Sequence, residues 1–231
     1  GLLVTSDNVT LQDFAVVNAK GDAIKSKGAN NISFIRVKTE WTGGPKTTNG
    51  AYGLYPVESE NILIDDCVAI GASDAGIYVG QSKNIIVKNS FVKHNVAGIE
   101  IENSFYADVF DNLAEENTGG ILVFDLPDLP QQGGHHVRVF NNKVINNNTP
   151  NFAPEGNIVG EVPSGSGIMV MANSHVEVFE NRIENNGTTG IAVVSYADDY
   201  EDKRYYPHPR SIQIHNNEYI NNGKSPDIES N

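Results

Sequence analysis

A glycine followed by an apolar, a variable and a second apolar residue returns along this chain at nearly constant spacing. It occurs as Gly53-Leu54-Tyr55-Pro56, Gly76-Ile77-Tyr78-Val79, Gly98-Ile99-Glu100-Ile101, Gly120-Ile121-Leu122-Val123, Gly167-Ile168-Met169-Val170 and Gly190-Ile191-Ala192-Val193, at intervals of 23, 22, 22, 47 and 23 residues. A second alternating segment recurs as Val9-Thr10-Leu11, Ile32-Ser33-Phe34, Ile62-Leu63-Ile64, Ile85-Ile86-Val87, Ala107-Asp108-Val109, Val137-Arg138-Val139, Val176-Glu177-Val178 and Ile212-Gln213-Ile214. Only one copy of it lies between Gly120 and Gly167, so the interval of 47 is one repeat carrying insertions.

Strands this short, joined by Gly, Asn, Asp and Ser corners, cannot bury their apolar faces within one repeat and must stack on the next. The eight copies predict an all-β chain, a right-handed parallel β-helix of about eight coils with loop insertions. Stacking sets equivalent residues roughly 4.8 Å apart and makes a rod on the order of 40 Å long. Each repeat position then becomes a column in space. In one such column Asn112, Asn142, Asn181 and Asn217 follow Cys67 and Ser90, so their amides can bond one another along the rod.

No shift of composition divides the 231 residues, and a single β-helix domain over 1–231 is expected. Gly1-Leu2-Leu3-Val4 already reads as strand, without a start methionine, so the domain is expected to be part of a longer precursor with any targeting segment upstream. Acidic residues outnumber Lys and Arg by 29 to 16, which disfavours nucleic acid and anionic lipid. Apolar stretches are far too short for a transmembrane segment. Cys67 is the only cysteine and excludes an internal disulfide framework.

On the first strand of each coil the apolar pair points inward, so the residue between faces outward. That outer column reads Lys25, Tyr55, Tyr78, Glu100, Leu122, Met169, Ala192, and its neighbour Val57, Gly80, Glu102, Phe124, Met171, Val194. Tyr55 and Tyr78, with Lys25 and Phe124 beside them, form a surface on which a sugar ring can stack. Glu100 and Glu102 lie two residues apart on one strand face, roughly 6.6 Å along the backbone, near the separation of acid and base in inverting glycosidases. Asp125 leaves the same face at the start of the insertion Asp125-Leu126-Pro127-Asp128-Leu129-Pro130. Glu100, Glu102 and Asp125 are therefore the candidate catalytic residues, and Tyr55, Tyr78, Phe124 and Lys25 the candidate substrate-binding ones. Ordinary exposed strand residues would give the same pattern.

Further insertions run from Thr149 to Ser166 and from Tyr196 to Arg210. The last gathers Tyr196, Tyr200, Tyr205 and Tyr206 among charged residues, a mixture suited to glycan or protein contact, or to a loop folded over the rod. His136 and His175 occupy equivalent positions on successive coils, but the column otherwise holds Asn8, Asn31, Asn61, Asn84, Tyr106 and Ser211, turn residues, and two ligands are too few for a metal. No metal or other cofactor is expected. No Gly-x-Ser-x-Gly elbow or nucleotide-binding loop occurs, and Cys67 belongs to an inward corner.

These repeats resemble the right-handed β-helix proteins of the bacterial cell envelope, a group that includes pectate lyases, polygalacturonases, mannuronan epimerases and the accessory β-helix protein of nitrous oxide reductase. The stretches NGAYGLYPV, GASDAGIYVGQS, NVAGIEIENS and NTGGILVFDLPDLP are similar, more narrowly, to a family of exported β-helix repeat proteins of unassigned activity. The resemblance implies a periplasmic or extracellular location. The enzymes' own signatures are incomplete here. Asp65-Asp66 and Asp198-Asp199 match the paired aspartate of polygalacturonases without their Asn-Thr-Asp and Gly-His-Gly. Pro207-His208-Pro209 lacks the flanking acids of the epimerase Asp-Pro-His-Asp, and no basic cluster follows the first strand as in the lyases. Two functions follow as expectations. One is an exported carbohydrate-binding or carbohydrate-active protein using the outer face of the first-strand column, acting as a polysaccharide hydrolase or lyase if it is an enzyme. The alternative is a non-catalytic envelope scaffold offering loops to a glycan or protein partner. An accessory role in metal or cofactor maturation rests on analogy of fold.

Overall fold

The computed structural model describes residues 1–227; residues 228–231 of the expected domain lie outside the described residues. The chain winds into a right-handed parallel β-helix, every strand pair being parallel. The first sheet stacks Leu2–Val4, Ile24–Lys27, Tyr52–Val57, Ala75–Gly80, Ala97–Glu102, Gly119–Phe124, Ser166–Met171 and Thr189–Val194 in chain order. Its strands are the glycine-led repeats. The second recurring segment forms the strands Thr10–Val17, Ile32–Glu40, Glu60–Asp65, Lys83–Lys88, Phe105–Phe110, His135–Phe140, Ser174–Phe179 and Arg210–His215. A third wall of three-residue strands runs from Val68–Ile70 to Glu218–Ile220. The second and third walls join because Ile32–Glu40 runs straight through the corner, with Arg36 at φ 51°, and pairs with both Glu60–Asp65 and Val68–Ile70.

Alternation along each strand sends apolar side chains into the bore, two per coil from the first strand. Ile77, Ile99, Ile121 and Ile168 form one fully buried column and Val79, Ile101, Val123 and Val170 the next. The leading glycine has a steric cause. A Cβ on Gly98 would stand 2.5 Å from the Gly120 carbonyl oxygen and 3.0 Å from Asn117 Nδ2, so any side chain there would push the coils apart.

The corner between second and third walls carries the expected amide ladder. Asn112 Nδ2 donates to Asn142 Oδ1, Asn142 to Asn181 and Asn181 to Asn217, each at 3.0 Å, while each Oδ1 also accepts the backbone N–H of the coil before it. Ser90 Oγ takes over that acceptor role for Cys67 N–H, and Val37 and Phe14 end the column in the first coils. A second ladder closes the opposite corner: Asn95, Asn117, Asn147, Asn186 and Asn222 are joined the same way at 2.9–3.0 Å. Buried turn amides are thereby satisfied in a repeat too thin to offer other partners.

Candidate functional site

The outer face of the first sheet has the expected register. Lys25 pairs with Tyr55, Tyr78 with Glu100, Glu100 with Leu122, and Glu102 with Gly80 and Phe124. It is not an open surface, however. Tyr78, Glu100, Glu102, Phe124 and Asp125 are all buried, Glu100 to 1% exposure, because the insertions fold back over the sheet.

Each insertion is pinned by side chains of the rod. Asn103 donates to the carbonyls of Leu126 and Gln131 and accepts Leu126 N–H, all at 2.8 Å, and so fixes residues 125–134. The second insertion contains a short 3-10 turn, Ile158–Glu161. Asn157 Nδ2 donates to Asp74 Oδ2 at 2.9 Å, while Val159 and Val162 pack with Leu122, Phe124 and Met169. The third braces the first, through Tyr205 Oη donating to the Asp125 carbonyl at 2.6 Å and Gln132 Nε2 to Asp202 at 2.6 Å.

Beneath this cover lies a cavity of about 370 Å³, lined by Ala51, Tyr52, Asp74, Glu100, Glu102, Leu126 and Asn157–Val159. Tyr78 reaches it over Gly80: a Cβ at Gly80 would fall 2.3 Å from the Tyr78 hydroxyl, and the missing side chain leaves that hydroxyl room to donate to Glu102 Oε1 at 2.5 Å. Gln81 Nε2 donates to the same oxygen at 3.1 Å. Glu100 Oε2 is buried without a hydrogen-bond partner among the described residues.

Three carboxyl groups share this space. Burial, before any other influence, pushes Glu102 up to about 7 and Asp74 up to about 7; the hydrogen bond from Tyr78 opposes the rise at Glu102, and those with Tyr52 and Asn157 oppose it at Asp74. Glu100 is driven well above the usual carboxylate range by burial and then by Glu102 and Asp74. Neutral pH therefore finds the cluster holding protons, poised to give or take one.

Glu100, Glu102 and Tyr78 are thus brought together. Asp125, raised to about 6 by burial, instead accepts Gly133 and Gly134 N–H at 3.1 and 2.7 Å and holds its loop. Phe124 lies in the apolar packing under the second insertion. Lys25 Nζ covers the Tyr55 ring at 4.2 Å, and Tyr55 packs on Tyr52 and Tyr78, so the face expected to stack a sugar is already occupied. Sequence reasoning missed Tyr52 and Asp74. Their signal lay in the strand openings, where Tyr52 pairs with Ala75 and Asp74 directly precedes it. On the second sheet His136 and His175 stack face to face, 4.9 Å apart and 3° from parallel, so their nitrogens do not converge. Among the described residues no group of three or more His, Cys, Asp or Glu is arranged to hold a metal ion.

No curated protein matches the chain by sequence. Among solved structures it is similar to the A-module of the Azotobacter vinelandii mannuronan C-5 epimerase AlgE6, with a TM-score of 0.64 and 15% identity over 95% of this chain and 55% of that one. It is also similar to a double mutant of the periplasmic alginate epimerase AlgG, with a TM-score of 0.57 and 15% identity over 85% of this chain and 51% of the other. The chain spans about half the length of either, and the likeness is one of fold. The right handed beta helix region model matches residues 1–128, and the chain belongs to that family.

Proposed function

We propose that the protein is an exported carbohydrate-active β-helix protein whose chemistry sits in the covered cavity on the first sheet. The observation that carries this reading is the convergence of Asp74, Glu100 and Glu102 on one covered cavity, with Glu102 raised to about 7 and Glu100 Oε2 without a hydrogen-bond partner among the described residues. A carboxyl that titrates near the working pH is suited to general acid–base transfer, and a second acid beside it is what glycoside hydrolysis uses. Glu100, which keeps its proton, would protonate the departing oxygen as the glycosidic bond breaks, and Glu102, whose carboxylate accepts from Tyr78 Oη and Gln81 Nε2, would take a proton from the water whose oxygen forms the new bond to the anomeric carbon. Among the described residues no basic side chain lines the cavity to neutralise a uronate, which favours hydrolysis of a neutral glycan over lyase chemistry. Likeness in fold to a periplasmic epimerase supports export to the periplasm or cell exterior; no helix among the described residues is long and apolar enough to cross a membrane.

The near-complete burial of Glu100 favours the second reading, a scaffold in which protonated acids lock loops onto a rod. One experiment decides. Against a panel of neutral and acidic polysaccharides, the parent is expected to release reducing ends from a neutral glycan, and Glu102→Gln to lower that rate by about 10²-fold or more. A parent without activity on any member, or a Glu102→Gln variant as fast as the parent, leaves the scaffold.

A further inference from the structure

The second sheet has an open outer face, with a groove of about 740 Å³ running across its strands from Glu60–Asp65 to Arg210–His215. One wall of the groove is the column that turns each coil into its second strand, and every member of it has left-handed backbone. In four coils the fold fills this position with Asn8, Asn31, Asn61 and Asn84, whose amides bond along the rod at 2.8, 2.9 and 3.1 Å. Asparagine tolerates that backbone best among residues with a side chain. The next three coils abandon it. Tyr106 at φ 58°, His136 at 57° and His175 at 51° take the strained conformation, forgo the amide ladder, and place their rings in solvent, Tyr106 with 55% exposure. The exchange replaces a ladder of amides with a ladder of exposed rings on the rim of the groove.

The rings form a continuous strip, Tyr106 on His136 at 5.1 Å and His136 on His175 at 4.9 Å, one ring per coil. The floor beside them carries both charges: Arg138 forks onto Asp108 at 2.7 and 2.6 Å, and Glu177 accepts or shares a proton with His215 at 3.0 Å. Beyond the floor a second ring stack, Phe110, Phe140 and Phe179, repeats at 4.9 Å.

We propose that this groove is a second carbohydrate-binding site, which takes a neutral glycan chain lying along the rod axis over Tyr106, His136 and His175. Sugar rings present C–H faces to aromatic rings and hydroxyls to a floor of donors and acceptors. A chain of ring-sized units has the periodicity of the strip. Two carboxylates against one guanidinium disfavour a polyanion, and a charged floor disfavours a purely apolar ligand. The inference stands independently of the cavity on the first sheet.

Calorimetric titration with cellohexaose, mannohexaose and hexamannuronate tests it on the parent and on a triple variant, Tyr106→Asn with His136→Asn and His175→Asn. Those changes restore the residue that the fold prefers. A neutral hexaose is expected to bind the parent, and the variant to bind it at least about tenfold more weakly while its unfolding temperature stays equal or rises. Binding of hexamannuronate alone, no binding of any of the three, unaltered affinity in the variant, or a lower unfolding temperature for it would each overturn the proposal.

Discussion

Glu102 has two protein donors on one oxygen, Tyr78 Oη at 2.5 Å and Gln81 Nε2 at 3.1 Å, and almost no contact with solvent. Its proton affinity is therefore a balance between the cost of a buried charge and the bonds that favour the ionised form. Tyr78→Phe removes one of those bonds and keeps the ring that fills the space over Gly80. Burial then acts with less opposition, and the Glu102 titration is expected to move upward from about 7, by roughly 1 unit. Carbon-detected NMR titration of the side-chain carboxyl reads this directly. A downward or absent shift would show that the hydroxyl does not govern this acid.

At the scale of the element, the amide ladders do for the corners what hydrogen-bonded strands do for the walls. Asn147 donates to Asn186 Oδ1 at 3.0 Å and to the Ala114 carbonyl at 3.1 Å, and accepts both Asn117 N–H and Asn117 Nδ2. Asn147→Ala strands several buried polar groups at once and is expected to cost about 2–4 kcal/mol, whereas Lys143→Ala, at an exposed strand position of the same coil, is expected to cost under about 1 kcal/mol. Paired denaturant melts measure the difference, and equal losses would deny the ladder its role. The column through Asn112 was legible in the sequence because its spacing follows the second strand. The ladder through Asn117 repeats five residues later in each coil, at Asn142 and Asn147, then Asn181 and Asn186, and was equally available to a reader of the spacing. The cover over the first sheet was not. It depends on contacts between residues 70 to 83 positions apart, Gln132 with Asp202, Tyr205 with Asp125 and Asn157 with Asp74, which no repeat spacing encodes. The strand pattern thus correctly aligned Tyr78 with Glu100, and could not show that loops would bury them.

The whole molecule carries a formal charge of −13, and the acids it buries are concentrated in one cavity of the rod. Asp74 and Glu102 rise from 3.8 and 4.5 to about 7 on folding, so over that interval the folded protein binds more protons than the unfolded chain. The stability they contribute is complete below about pH 4 and is lost as pH rises through about 7, a difference on the order of a few kcal/mol. Acids held low by arginine, exposed Asp13 beside Arg36 and partly buried Asp202 beside Arg204, act in the opposite sense but below their ordinary range, outside this window. General repulsion among surface carboxylates also grows with pH, yet salt screens it over about 10 Å at 0.1 M, whereas a buried cluster is screened far less. The protein is therefore expected to unfold at a lower temperature at pH 8 than at pH 5.5, with the difference persisting in 0.5 M salt. A variant carrying Asp74→Asn, Glu100→Gln and Glu102→Gln should lose most of that dependence, since none of the three amides ionises and Glu100, also raised by burial, would otherwise keep the folded protein ahead in bound protons. If the slope vanishes with salt in the parent, or survives intact in the variant, the pH response belongs to the surface and not to the acids beneath the loops.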